Sequence, residues 1–123
     1  MNIAMSDNCA LKFSRDIKEH WEAKGHEVRY EHGASENLAQ WADLYYIDWY
    51  DNNIHYLYNW YAENSQARKP KFCVRAIDWD VWVRGVRDQQ IVNFVDYFVC
   101  IAQHIKEWLE IEPDAATGKQ IDW

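Results

Sequence analysis

Three observations predict a three-layer α/β/α domain on about five parallel strands. Short apolar runs recur at regular spacing, helical periodicity fills the gaps between them, and the last run, Tyr97-Phe98-Val99-Cys100-Ile101, is apolar throughout. A strand covered on both faces by helices has that continuous character. Strands alternating with helices give β-α-β units, a parallel sheet and right-handed crossovers.

Each element has its own signal. Ile3-Ala4-Met5 is a first short strand, and His26-Glu27-Val28-Arg29-Tyr30 alternates after Gly25. Asp43 to Ile47, Lys71 to Ala76 and Asp96 to Ala102 read as the third, fourth and fifth strands. Phe13, Ile17 and Trp21 repeat every four residues on a first helix, with Gly25 placed just past its end. Ser35 is positioned to cap a short helix with Leu38, Trp41 and Ala42 inward. Asn52 or Asn53 opens a third, where Ile54, Leu57, Tyr58 and Tyr61 share a face. A fourth, around Asp88 to Val95, turns Ile91, Phe94 and Val95 inward. A fifth spans His104 to Glu110, and Pro113 stops further helix. The domain is placed at 1–112, with 113–123 as a tail too short to add a structural layer.

Composition excludes several function classes. A chain of 123 residues with 49% hydrophobic content suits one globular domain. No apolar run approaches the roughly 20 residues that span a bilayer, and the N-terminus does not read as a signal peptide. A net charge of −7 argues against a nucleic-acid partner. The three scattered cysteines, Cys9, Cys73 and Cys100, form no C-x-x-C pair, which suits a reduced intracellular setting. Cys73 and Cys100 read as small apolar residues inside strands. The five histidines lack metal-ligand spacing, so no metal site is expected. Cytoplasmic placement follows, with peripheral contact at the inner membrane surface as a variant.

Chemistry concentrates where predicted strands end, because ligands of parallel sheets bind beyond the strand carboxyl ends. Candidate site residues are Ser6, Asp7, Asp48, Trp49, Arg75, Asp78, Asp80, Gln103 and His104. Carboxylates, indoles and a guanidinium there suit a polyhydroxylated ligand. Arg75 equally suits a structural ion pair with Asp78 or Asp80, since a guanidinium matches a carboxylate bidentately. No glycine-rich phosphate loop follows the first strand, so dinucleotide or ATP binding is not expected. A phosphoacceptor receiver pattern wants an acidic pair ending strand one, Asp ending strand three, a hydroxyl residue ending strand four and Lys ending strand five. Asp48 is available, but strand four ends at Ala76-Ile77-Asp78 and strand five leads into Gln103.

Four segments carry a family resemblance. Lys24-Gly25-His26-Glu27-Val28, Ile47-Asp48-Trp49-Tyr50-Asp51-Asn52-Asn53, Arg75 to Asp80, and Val95 to Lys106 resemble, in order, motifs of the N-terminal, acceptor-side lobe of GT-B, family-4-like bacterial glycosyltransferases. The resemblance implies a Rossmann-like lobe with strand order 3-2-1-4-5, binding a saccharide or glycan acceptor. Arg75 matches the motif arginine and Asp80 the motif glutamate, while Ile77 and Ala102 replace the motif histidine and serine. The nucleotide sugar belongs to a second lobe or a separate donor-binding polypeptide, so this metal-independent hexosyltransferase half is expected to be inactive alone. The competing expectation is a non-catalytic interaction or dimerisation module on a flavodoxin-like α/β fold. It would form a homodimer through exposed Trp49, Trp79 and Trp82.

Overall fold

A computed structural model describes residues 1–49, 52–76, 89–100 and 120–122. Its elements run β1 (Asn2–Asp7), α1 (Arg15–Ala23), β2 (Glu27–His32), α2 (Glu36–Trp41), β3 (Leu44–Asp48), α3 (Asn52–Glu63), β4 (Lys71–Ala76), α4 (Gln89–Phe94), β5 (Tyr97–Cys100) and β6 (Gln120–Asp122). All pairings are parallel, and the order across the sheet is β2-β1-β3-β4-β5-β6. The predicted α/β class and five parallel strands stand. The predicted order 3-2-1-4-5 does not, because β3 lies directly between β1 and β4. Within the expected tail, Gln120–Asp122 adds a sixth, edge strand rather than a layer. The fifth helix predicted over His104 to Glu110 lies outside the described residues.

The strand sequences explain the observed order. β2 carries Glu27, Arg29 and Glu31 at alternate exposed positions, as an edge strand that resists further pairing should. β3, in contrast, is buried from Tyr45 through Asp48, which only an interior strand covered on both faces can be.

Two apolar clusters sandwich the sheet. On one face, α2, α3 and α4 pack Leu38, Ala39, Ile54, Leu57, Tyr61, Ile91 and Val92 against Tyr45, Ile47, Phe72, Val74 and Phe98. On the other, Ile17 and Trp21 of α1 cover Ile3, Met5 and Tyr46, with Trp21 edge-on to Tyr46 at 5.7 Å. Helices thus switch face after α1, so the connection that follows β2 returns the chain across β1 to β3.

Local punctuation follows the chain chemistry. After α1, Gly25 takes φ +91°, and the N–H groups of Gly25 and His26 donate to the carbonyls of Glu22 and Trp21. This closes the helix with the left-handed residue that glycine adopts without a Cβ penalty. Phe13, expected on the α1 face, instead precedes the helix and is half exposed. Ser35 caps α2 as expected, its hydroxyl accepting from the Leu38 N–H at 3.2 Å. Ser35→Ala should therefore cost about 1 kcal/mol, the usual value of an N-cap, read as a lower urea midpoint at constant slope.

Candidate functional site

The order of the strands reverses between β1 and β3, and parallel sheets hold ligands at the carboxyl side of such a switch point. Asp7 ends β1 and Asp48 ends β3, and each residue is only 1% exposed. Side chains alternate along a strand, so Asp7 falls on the Ile3 and Met5 face, and Asp48 on the Tyr46 face, which is the α1 side. In-register pairing of Asp48 with Arg75 brings the third charge in from β4.

Arg75 grips Asp48 with two parallel bonds, Nε to Oδ1 at 2.6 Å and a terminal guanidinium nitrogen to Oδ2 at 2.8 Å. This is the bidentate geometry that makes arginine–carboxylate pairs strong and directional. Burial raises the Asp48 carboxyl above its ordinary range; the Arg75 bond and charge oppose that rise, and the Asp7 charge adds to it. The expected partners of Arg75, Asp78 and Asp80, lie outside the described residues, as do Gln103, His104, Trp79 and Trp82.

Asp7 is satisfied from three directions. The Tyr30 hydroxyl donates to Oδ1, the Leu11 N–H donates to Oδ2 at 2.9 Å, and the Cys9 N–H donates to Oδ1 at 3.2 Å. Burial pushes this carboxyl up, but the Tyr30, Cys9 and Leu11 bonds together outweigh it and leave it below the usual range. Burial and the Asp7 charge push the Cys9 thiol up, and it donates to Asp7 Oδ2 at 3.5 Å.

Backbone strain gathers around the same two strand ends. Ala10 and Leu11 after β1, and Trp49 after β3, have φ of +55°, +63° and +88°. For bulky side chains such left-handed values cost on the order of 1–3 kcal/mol each and persist only where the surroundings hold them. Asp7 holds Leu11, while the Trp49 N–H donates to the Arg75 carbonyl at 2.9 Å. The indole of Trp49 packs 6.1 Å from the ring of Phe13, and its buried Nε1 has no hydrogen-bond partner among the described residues. Trp49 is thus half-buried, unlike the exposed aromatic expected of a dimer patch. Tyr46 places a second unpartnered polar atom in this region; burial and the charge of Asp48 hold its hydroxyl well above the ordinary range.

The structure brings together Asp7, Asp48, Trp49 and Arg75 of the residues singled out from sequence. Ser6 belongs elsewhere: its hydroxyl shares a 2.6 Å bond with the Tyr45 hydroxyl and donates to the Gly33 carbonyl, on the face of α2 and α3. Tyr30, Tyr46 and Cys9 escaped the sequence reading. Tyr30 alternates with Val28 along β2, which hints at its facing, but nothing local announces a partner 23 positions away.

Asp7, Cys9 and Asp48 offer ligand atoms within 4.8 Å of one another. The donor set does not suit a divalent ion as it stands. Both Asp48 oxygens accept from the Arg75 guanidinium, whose positive charge stands beside the cluster, and both Asp7 oxygens accept from neighbouring donors.

The fold is similar to that in the crystal structure of a response regulator protein from Burkholderia pseudomallei with a phosphorylated aspartic acid, calcium ion and citrate. The match has a TM-score of 0.54 at 14% identity and covers 94% of this chain and 69% of that one. No family model matches the chain, and no curated protein matches it. This likeness and the 2-1-3-4-5 core of the sheet overturn the expectation of a GT-B glycosyltransferase lobe, whose order would put β3 beyond β2. Of the segments that carried the resemblance, Lys24 to Val28 is a helix-to-strand turn of the kind any alternating α/β chain repeats, and the glycan-acceptor role falls with the lobe. Among the described residues no helix is long and apolar enough to cross a membrane.

Proposed function

We propose that this chain is a non-catalytic interaction module on a receiver-like, flavodoxin-type fold, with its strand-end aspartate held by an internal cation. The observation that carries the reading is the bidentate Arg75–Asp48 pair. An aspartate that takes a phosphoryl group must present a free oxygen to the donor and leave room for a cation beside it. Here Asp48 is buried and both its oxygens are engaged by a tethered guanidinium. Ala76 stands where the receiver pattern wants a hydroxyl residue at the end of strand four.

The similar response regulator has a phosphorylated aspartate and a calcium ion. In this chain the guanidinium of Arg75 supplies fixed positive charge to Asp48, so the reading requires neither a metal nor a cofactor. Its partners would then be proteins that recognise a surface held in one state.

Acetyl phosphate with Mg²⁺ tests this directly. Intact mass of the treated chain should show no phosphoryl adduct, while Arg75→Ala, by freeing the carboxylate, is the variant in which one should first emerge. A stoichiometric adduct mapped to Asp48 in the wild type would overturn the reading.

A further inference from the structure

We infer that a second surface, at the opposite end of the sheet from Asp48, binds an acidic peptide segment carrying an apolar side chain. The inference rests on the interaction-module reading and assigns it a surface and a partner chemistry. Two adjacent depressions, of about 300 Å³ and 340 Å³, share Lys69 as a common wall. Asp43, Arg68, Pro70, Lys71 and Asp96 line the first, and Tyr58, Tyr61, Ala62, Ser65, Ala67 and Phe94 line the second.

Charge favours this occupant over others. The chain carries −7 overall, yet the first depression gathers Arg68, Lys69 and Lys71 against two carboxylates, Asp43 and Asp96. Arg68 is already committed, donating to the Gln40 and Ala42 carbonyls and pairing with Asp43 at 2.7 Å. Lys71 is mostly exposed and only 4.0 Å from Asp96. Lys69 lies 4.4 Å above the Phe94 ring, with no carboxylate within ion-pair distance among the described residues. The Lys69 ammonium is therefore the group that meets a carboxylate ligand, and the exposed Lys71 has only its long Asp96 pair to exchange for a second one.

The aromatic half is rigid. Phe94 sits 4.8 Å from Phe72 and 5.5 Å from Tyr58, and the Tyr61 hydroxyl donates to the Arg68 carbonyl at 2.6 Å, tying the loop to α3. A preformed aromatic wall takes one apolar side chain with little ordering cost. An anion alone would leave that wall unused, and a basic segment would leave the Lys69 ammonium without a counter-charge. A linear segment with acidic residues beside a Leu or Phe fits both halves.

The test is a titration of the ¹⁵N-labelled full chain with the capped hexapeptide Glu-Glu-Leu-Phe-Glu-Glu, followed by NMR. Saturable shifts are expected at the amides of Lys69, Lys71 and Phe94, weakening with added salt. The double variant K69E/K71E should bind at least about tenfold more weakly, by like-charge repulsion, with the rest of the spectrum unchanged. Several outcomes would overturn the inference: no shifts at millimolar peptide, equal shifts with a Lys-for-Glu peptide, the same shifts from inorganic phosphate, or concentration-dependent shifts of the free chain that mark a second copy as occupant. The acetyl phosphate experiment reads Asp48 and this one reads Lys69, so either can fail while the other stands.

Discussion

Arg75→Met should destabilise the fold by about 3–5 kcal/mol, the range for removing one partner of a buried ion pair. The Asp48 side chain has no exposure and that of Arg75 has 19%, so water cannot replace the lost guanidinium without opening the strand end. Methionine keeps much of the stem volume, which confines the effect to charge. Against a total stability of about 5–15 kcal/mol for an ordinary domain, the loss is large enough to lower a urea midpoint unmistakably. Removing both charges should recover most of it, because apolar or neutral replacement of a whole buried pair is often nearly neutral. The double variant Asp48→Asn/Arg75→Met is therefore expected within about 1 kcal/mol of wild type, and the cycle isolates the coupling. Equal losses in single and double variants would show that Arg75 stabilises by packing alone.

The pH dependence carries a definite sign. Asp48 has a folded-state pKa raised above its unfolded value, so between the two values the folded chain binds the extra proton. Its contribution is fully present below the unfolded value and is lost as pH rises through the folded one. Without Arg75 the carboxyl rises further, so the deficit of Arg75→Met should shrink as pH is lowered from neutrality toward 5. A pH-independent deficit would contradict the assignment.

How much of this was legible can be argued from particular residues. Lys71 to Ala76 was readable to the residue as a strand, and Ser35 and Gly25 as helix punctuation, because those signals are local. The order of strands is decided by which edges are covered. Its clue is the charged alternation Glu27, Arg29, Glu31 against the apolar Leu44 to Ile47, whereas the order 3-2-1-4-5 rests on the family resemblance alone. Asp48, Trp49 and Arg75 were recognisable as strand-end chemistry. That Arg75 serves Asp48 depends on a register between strands 27 positions apart, which no spacing rule supplies. The Tyr30–Asp7 bond was hidden for the same reason.

Asp7→Ala should cost about 3 kcal/mol, because one side chain satisfies four donors and restrains a strained turn. Hydrogen bonds to a charged group contribute about 1.5–3 kcal/mol, and a buried N–H left without an acceptor costs about 1–3 kcal/mol. Leu11 is buried, and its N–H donates to Asp7 Oδ2; alanine leaves that donor orphaned, and Tyr30 loses its carboxylate. Ala10 and Leu11 then have little to hold them at positive φ, so the loop after β1 should relax. Amide exchange at Leu11 is expected to accelerate well beyond the change at Val74, which lies within the sheet core. The sign of the pH effect is opposite to that at Asp48. A depressed carboxyl contributes stability above its unfolded value, near 3.8, and loses it as pH falls through the lower folded value. The gap between wild type and Asp7→Ala should therefore hold steady from neutral pH to about 5 and close below 4. A gap that widened in acid would mean that Asp7 is not held ionised by Tyr30, Leu11 and Cys9, and the two aspartates would then have to be assigned the reverse way round.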